Sequence, residues 1–353
     1  MPAISAAEAI SPAIERTKYL LFRPFRLSTY LKLCLVALLA EGSSGGSGNF
    51  NPSGWARHGH TASQRPNYHP HNLFPHIALT PARLLAAMAI VALLVIIAFV
   101  IGYLITRLRF AWFHCLIHNI REIRPGWHIY REPATRFFWF SVALGLCFLA
   151  LIALLGLPFA AGFLALFRGI RAGGHPDIGA IVALVLPLIP ILLLIVILAV
   201  AVKIVLHDLM LPHFALENAT AGQAWSAAWA RIRNEKGAFF VYALLRVLLP
   251  VVAAIGLFIV LLIPGILFGL AVAAVEIGLH AAFGSTVLGI FLKVSAGVIA
   301  GLIALLVFIG VFGPLNTAVR EYALVFYGGR YRPLGETLYP PPPPVAIPAP
   351  AIP

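Results

Sequence analysis

Five long apolar stretches constrain this chain more than any other feature of its sequence. They cover residues 85–105, 137–166, 178–206, 238–263 and 287–312. Each has enough apolar residues to cross a lipid bilayer as a helix, for which about 20 are needed. A sixth, shorter stretch (27–40) precedes them. The chain is therefore predicted to be an integral membrane protein.

The spanning segments are predicted to be helices rather than the strands of a barrel. Only helices and closed barrels satisfy the backbone inside a bilayer, and barrel strands alternate in polarity over about ten residues. The stretches here are continuous, in a chain that is 61% hydrophobic and 10% charged. We predict an all-α bundle of about six transmembrane helices with interfacial amphipathic helices. It divides into an N-terminal arm (1–26), a membrane domain (27–325, with an outside loop at 41–81) and a Pro-rich tail (326–353).

The net charge of +13 argues for topology rather than for nucleic-acid binding. In a membrane protein, loops rich in Lys and Arg stay in the cytoplasm. Sixteen basic residues fall on one predicted side: Arg16, Lys18, Arg23, Arg26, Arg107, Arg109, Arg121, Arg124, Arg131, Arg136, Arg231, Arg233, Lys236, Arg320, Arg330 and Arg332. The opposite connections carry Arg57, Arg65, Arg83, Arg168 and Arg171. This asymmetry predicts six spans with both termini in the cytoplasm and an attraction to anionic headgroups there.

The N-terminal arm is predicted to lie in the headgroup plane as a short helix over 12–26. Ser11 can cap this helix and Pro12 suits its first turn, while Pro24 would end it. Arg16 and Arg23 would then reach lipid phosphates, as basic residues of interfacial helices do. The alternative is that the arm simply extends the first span.

A second interfacial helix is predicted after the fourth span. Thr220 and Gln223 have the spacing of a capping box. Trp225 and Trp229 then share one face of the helix. Arg231 and Arg233 lie near its end. The exposed face would bind lipid headgroups or a partner, or it would only anchor the bundle at the depth where tryptophans are enriched.

The same region carries a family resemblance. Asp208 and Pro212 end a span, Ala224-Trp225 follows, and then come Gly237, Phe239 and Tyr242. With the N-terminal RTKYLLFRPFRLSTYLKL and its Gly/Ser-rich continuation, the chain resembles a family of uncharacterised bacterial multi-pass proteins. That family is similar in layout to the membrane domain of glycerophosphoryl diester phosphodiesterases. The resemblance implies a bacterial cytoplasmic membrane, but no reaction, because the family has no assigned reaction to carry over. We also expect no soluble phosphodiesterase domain in this chain, so that activity is not implied.

The fifth span leaves two alternatives open. Apolar character continues from 238 to 280, with Pro264-Gly265 in its middle. Either the span ends near residue 263 and a short helix re-enters or lies on the surface, or 265–281 is an extra span. Glu276, His280 and Lys293 are ionisable groups at membrane depth, which are functional candidates by default. A pair between Glu276 and Lys293 would suit a transporter, whereas snorkelling to the interface would be merely structural.

Metal and cofactor sites are poorly supported by the sequence. The outside loop contains His58, His60, His69, His71 and His76, and His-x-His pairs can bind transition metals. A weakly ordered polar loop is the preferred interpretation. His114 and His118 lie one helical turn apart without the glutamate of a zinc protease, which favours packing. Cys34, Cys115 and Cys147 have no metal or redox spacing. We expect no cofactor.

Two further patterns are common in membrane proteins. Gly265/Gly269 and Gly297/Gly301 have the spacing that allows helices to approach closely, which predicts tight packing between the last helices. The consecutive prolines from Pro340 to Pro344 predict an extended polyproline tail. Such a tail binds proline-recognising partners or is an unstructured end.

Three functions compete on this reading. The first is a non-enzymatic protein that organises or scaffolds the membrane through its basic face, with a homo-oligomer or a protein partner left open. The second is a small-molecule or ion transporter that uses Glu276 and Lys293. The third, a lipid enzyme, would depend on Asp208 with His207 or His213, although an Asp at the end of a span is more often a capping residue. We expect the first, and no enzymatic activity.

Overall fold

The computed structural model describes residues 4–42, 81–171 and 178–340, and these residues form helices without strands. The α-helices are α1 (Ile10–Phe22), α2 (Leu27–Gly42), α3 (Pro81–His118), α4 (Ile123–Ile129), α5 (Arg131–Arg171), α6 (Ile178–Val185), α7 (Leu188–Ile204), α8 (Leu211–Leu216), α9 (Ala221–Asn234), α10 (Lys236–Phe283), α11 (Val287–Gly328) and α12 (Arg332–Leu338). A π-helix, Val205–Met210, joins α7 to α8. The histidine-rich loop and the tail after residue 340 lie outside the described residues.

Five helical segments among the described residues are long and apolar enough to cross a membrane. They are Leu84–His118, Arg131–Gly169, Ile181–Leu216, Lys236–Phe283 and Val287–Gly328. This confirms the all-helical class and a membrane-embedded protein. The sixth predicted span corresponds to α2, which has only 16 residues and is shorter than the roughly 20 that a crossing needs.

The N-terminal arm folds as a helix, with boundaries that differ slightly from those predicted. The Ser5 hydroxyl accepts a bond from the Glu8 amide, while the Glu8 carboxylate accepts one from the Ser5 amide. This reciprocal turn winds the chain early, so α1 begins at Ile10 and Ser11 is not its cap. The helix ends at Phe22, just before Pro24, as the missing proline N–H predicts.

The predicted interruption of the fifth span is wrong. α10 is one continuous helix of 48 residues that contains both Pro250 and Pro264. Within an apolar phase no water is available to satisfy a broken backbone, so prolines are tolerated inside spanning helices. The chain reverses only at Gly284, which has a positive φ of 57°. The Thr286 hydroxyl then caps α11 by accepting from the Gly289 amide, and 265–281 is neither a separate short helix nor an extra span.

Burial divides the long helices into two regions. In the apolar stretches, defined here as residues 84–105, 139–169, 181–205, 243–288 and 290–308, no described side chain is buried. The packed base consists of α1, α2, α4, α8, α9 and α12 together with the adjoining ends of α3, α5, α10 and α11. Its buried side chains form one hydrophobic core. The site described below lies where the base meets the apolar stretches.

α2 lies against α11 and runs in the same direction. The Tyr30 hydroxyl donates to the Gly310 carbonyl at 2.6 Å. Four residues on, a Cβ built on Gly313 would lie 2.6 Å from the Cα of Cys34, so only glycine permits this approach. At the end of α2, the carboxylate of Glu41 lies 3.5 Å from the Arg320 guanidinium. Glu41, expected at the start of the outside loop, therefore belongs to the packed base.

The close helix approach predicted from the paired glycines is not made within the described chain. A Cβ added at Gly265, Gly269, Gly297 or Gly301 would meet no atom within 4 Å. The spacing permits close packing but does not supply a neighbour. Close contact occurs instead at Gly313, and at Gly335, where an added Cβ would lie 2.5 Å from the Gly328 carbonyl oxygen.

Candidate functional site: a buried charge cluster and its cavity

Asp208 is the centre of a buried polar cluster. Its carboxylate is 1% exposed and accepts from Arg246 Nε at 2.8 Å and from Arg320 at 2.8 Å. The Tyr242 hydroxyl donates to the same carboxylate at 2.8 Å. Buried charges are tolerated when paired and hydrogen-bonded. These contacts join the end of the third long apolar segment to both α10 and α11.

The π-helix explains why Asp208 and Pro212 occur with this spacing. In the π register the amide of Leu211 donates to the carbonyl of Leu206, five residues back. The next donor in that register would be residue 212, but proline has no N–H. The carbonyl of His207 is left without its backbone donor, and Arg320 donates to it at 2.9 Å. Arg320 thus satisfies both the backbone defect and the Asp208 carboxylate.

Further charged groups surround this centre. Glu41 lies 3.7 Å from Arg246 and 3.5 Å from Arg320. Arg109 lies 3.2 Å from the Nε2 of His207. Because an arginine only donates, Nε2 accepts and His207 carries its proton on Nδ1. That Nδ1 atom is buried and has no hydrogen-bond partner among the described residues.

A cavity of about 180 Å³ adjoins the cluster between α2, α7, α10 and α11. Its polar lining comes from Glu41, Lys203, His207, Asp208, Arg246 and Asn316. Its apolar lining comes from Val200, Ile204, Val247, Pro250, Val251 and Val319. The cavity therefore has a charged side and an apolar side.

Arg16 lies inside the packed base rather than on a lipid-facing surface. Its guanidinium pairs with Glu321 at 3.0 Å, and the Glu321 side chain is 1% exposed. The same guanidinium donates to the carbonyls of Leu116 at 2.8 Å and Leu338 at 3.0 Å. The prediction that Arg16 reaches lipid phosphates is corrected: this side chain holds α1, α3, α11 and the end of α12 together.

Arg231 is likewise directed inward. Its guanidinium lies 5.0 Å from the centroid of the Tyr331 ring and 3.3 Å from Nε2 of His213. Nε2 of His213 also accepts from the Tyr327 hydroxyl at 2.8 Å, while Nδ1 donates to Glu217 at 3.0 Å. This hydrogen bond lowers the pKa of Glu217. Arg231 is therefore a packing residue, not a lipid contact.

The exposed face of α9 retains the other predicted interface residues. The Thr220–Gln223 capping box is confirmed, with both reciprocal bonds present. The rings of Trp225 and Trp229 are stacked, 6.2 Å between centroids and 4° from parallel, and remain 43% and 54% exposed. Arg233 is exposed and forms a shallow depression with Trp229, Ile232 and Lys236.

Arg23 is exposed beside a second aromatic group. It lies in the turn between α1 and α2 with Arg26, which is also exposed. Phe25 and Tyr30 lie 5.6 Å apart between ring centroids, and Phe22 packs against both. We name Phe22, Arg23, Phe25, Arg26 and Tyr30 the N-terminal patch. Trp225, Trp229, Arg233 and Lys236 form the α9 patch. Both combine cationic and aromatic side chains.

The three candidate groups at the distal end of α10 and α11 are only partly brought together. Lys293 donates to His280 Nδ1 and to the Gly284 carbonyl, both at 2.8 Å. In the described chain Glu276 makes no ion pair with Lys293 and is exposed. A re-entrant segment that could bring Glu276 to Lys293 does not form, because α10 continues past residue 276 to Phe283.

The other candidate chemistry is structural where the structure describes it. His114 and His118 have ring centroids 4.6 Å apart, and His114 contacts the Tyr130 hydroxyl at 3.4 Å. Cys34 and Cys115 are buried, and Cys147 is exposed. The described residues contain no cluster of three or more metal-ligating side chains. Asp208, the candidate residue for a lipid enzyme, accepts hydrogen bonds from two guanidinium groups and a hydroxyl.

Sequence reasoning did not predict which residues pair in the buried cluster. The sequence predicts only that Asp208 ends a span. Arg320 lies 112 positions from Asp208, and no local pattern joins them. The one available signal was the Asp-x-x-x-Pro spacing, which marks the π-helix.

Comparisons with known proteins place the chain in a family. The model of a family of unknown function, DUF7544, matches residues 4–336. No curated protein and no solved structure matches.

Proposed function

Since the chain belongs to DUF7544, a family of unknown function, we propose its role from its own geometry: a non-enzymatic multi-pass protein that organises or scaffolds a membrane. The proposed setting is a bacterial cytoplasmic membrane, with both termini in the cytoplasm. Of the six predicted spans the proposal keeps the five long ones, because α2 runs in the same direction as α11 and ends within the packed base. The proposed partners are anionic headgroups on the cytoplasmic side.

The observation that carries this proposal is the sorting of the basic residues. Arg16 and Arg320 form buried ion pairs. Arg23, Arg26, Arg233 and Lys236 stay exposed beside aromatic rings. Aromatic side chains favour the membrane boundary, and each basic residue near an anionic surface contributes about 1 kcal/mol. The two patches thus have the composition of a headgroup contact, while the base that holds them is rigidly paired.

The transporter alternative has less support. It required a Glu276–Lys293 pair, and among the described residues Lys293 bonds instead to His280 and Gly284. This contact lies at the helical hairpin between α10 and α11, where it fixes a turn. A Lys293→Leu, Glu276→Leu double variant is expected to keep wild-type uptake in every transport assay.

The lipid preference of the patches tests the proposal. The full chain and an Arg23→Glu, Arg233→Glu double variant are placed in nanodiscs of mixed phosphatidylglycerol and phosphatidylcholine. The lipids retained after extraction are then quantified by mass spectrometry. At about 1 kcal/mol per basic residue, the preference for phosphatidylglycerol should fall up to about fivefold per site. Arg332→Glu is the matched control, because Arg332 is exposed but already paired with Glu336 at 2.6 Å. An unchanged lipid ratio in the double variant would reject the proposal.

The depth of the α9 patch separates a lipid contact from a protein partner. Brominated lipids quench tryptophans that lie at the bilayer boundary. The quenched signal of the wild type should drop in the Trp225→Phe, Trp229→Phe variant if these rings contact lipid. Equal quenching in both proteins would instead leave the stacked tryptophans free for a protein partner.

A further inference from the structure

The cavity beside Asp208 contains two polar side chains that no described residue satisfies. Lys203 and Asn316 both line it. Neither makes a hydrogen bond or an ion pair with any described residue. An ammonium group at membrane depth is costly unless it is paired or hydrated. The described residues alone therefore leave the site incomplete.

The charges around the cavity do not balance. Arg109, Lys203, Arg246 and Arg320 face two carboxylates, Glu41 and Asp208. With His207 neutral, the described residues of this cluster carry a surplus of two positive charges. The carboxylate of Asp208 is fully engaged by its three donors, and Glu41 lies between Arg246 and Arg320. An anion is the complement that this arrangement lacks.

The shape of the cavity indicates what kind of anion fits. Its volume of about 180 Å³ has room for several water-sized groups, since water occupies about 30 Å³ in the liquid. Val200, Ile204 and Val251 line the other side and continue into the apolar stretches of α7 and α10. A compact anion at Lys203 and Asn316 could thus carry an apolar chain along these walls.

We propose that this cavity binds a phosphate group through Lys203, Asn316 and the Arg246 edge of the buried cluster. The phosphate belongs either to a phospholipid headgroup or to a free phosphate ion, and both would use the same donors. A lysine ammonium and an amide N–H are suitable donors to phosphate oxygens. The site is separate from the N-terminal and α9 patches, so its loss would leave the proposed surface contacts unchanged.

Direct binding to the detergent-solubilised full chain tests the site. Native mass spectrometry and calorimetry are used with two probes, dihexanoyl phosphatidylglycerol and inorganic phosphate. Loss of one charged donor is expected to weaken binding by about tenfold in Lys203→Gln, while Lys203→Arg retains most of it. The matched control is Lys32→Gln, a lysine that is exposed on α2. Since Lys203 makes no hydrogen bond or ion pair with a described residue, Lys203→Gln should keep wild-type helicity by circular dichroism.

The two probes distinguish the sources of the phosphate. Tighter binding of the short-chain lipid, weakened only by the Lys203 change, assigns the site to a headgroup. Equal binding of inorganic phosphate with the same dependence on Lys203 assigns it to a free anion. Absence of binding by the wild type, or equal weakening in Lys203→Gln and Lys32→Gln, would overturn the proposal.

Discussion

The packed base and the apolar stretches of this protein are built from the same helices but held by different forces. In the base, Phe110, Phe214 and Phe326 are fully buried among aromatic and aliphatic neighbours. In the apolar stretches, Leu94, Leu193 and Val260 are more than half exposed. Exposed apolar area of this extent is stable only where lipid replaces water. The base thus organises the protein through its own contacts, whereas the apolar stretches depend on the bilayer.

Charged residues show the same division. In the base, acidic groups such as Asp208 and Glu321 are buried and paired with arginines. In the apolar stretches, Glu276 is exposed and lacks a partner among the described residues. A buried ion pair contributes little relative to apolar packing, yet removal of one partner is strongly destabilising because the other charge is left uncompensated. Charges should therefore be essential in the base and at its boundary, and substitutions of them nearly neutral for stability at distal positions such as Glu276.

The largest effect is expected from Asp208→Ala. It would leave Arg246 and Arg320 buried without their common carboxylate, which costs about 3–5 kcal/mol. Unfolding in detergent, followed by loss of helicity with increasing SDS, measures this change. The matched control is Glu276→Ala, which removes a carboxylate from an apolar stretch and should change stability by less than about 0.5 kcal/mol. Similar losses for the two variants would break the comparison between base and stretches.

Glycine substitutions test the same comparison sterically. Gly313→Ala places a Cβ 2.6 Å from the Cα of Cys34, and such overpacking costs about 1–3 kcal/mol. Gly301→Ala meets no atom within 4 Å and removes a glycine from a helix interior. It should be neutral or stabilising by up to about 1 kcal/mol. Thermal unfolding of both variants in one detergent is the measurement, and only Gly313→Ala should lower the unfolding temperature.

A destabilised Gly301→Ala would have a specific meaning. Because this glycine meets nothing within the described chain, a loss of stability could come only from a neighbour outside it, such as a second copy of the protein. Analytical ultracentrifugation of the same variant would then show a smaller assembly than the wild type. Unchanged stability confines the close helix contacts to the base.

Local sequence signals predicted the helices better than the contacts between them. The Thr220–Gln223 spacing predicted both the start of α9 and its cap, since a capping box involves only residues three apart. The predicted break at Pro264 was wrong. Proline ends a helix where water can satisfy the broken backbone, and a spanning helix has no such water. The length of the apolar segments was sufficient to predict an all-helical membrane protein.

The candidate site required information that no local pattern contains. Arg16 has an amphipathic, interfacial sequence context, yet its partner Glu321 lies 305 positions away. Arg23 and Arg233 have similar contexts and do remain exposed. Nothing in composition separates these three arginines, because only the packing of α1 against α11 decides which guanidinium finds a buried carboxylate. The lipid candidates could therefore be proposed from sequence, but not sorted.

The smallest expected effect concerns the edge between base and surface. Thr220→Ala removes the hydroxyl that accepts from the Gln223 amide, and loss of such a cap costs about 1 kcal/mol. Thr220→Ser keeps the acceptor and should retain most of that stability. Unfolding midpoints of the two variants give the difference. Because α9 carries the stacked tryptophans, Thr220→Ala should also reduce quenching of Trp225 and Trp229 by brominated lipid. A full loss of folding in Thr220→Ala would show that α9 is part of the structural centre of the base rather than a helix attached to it.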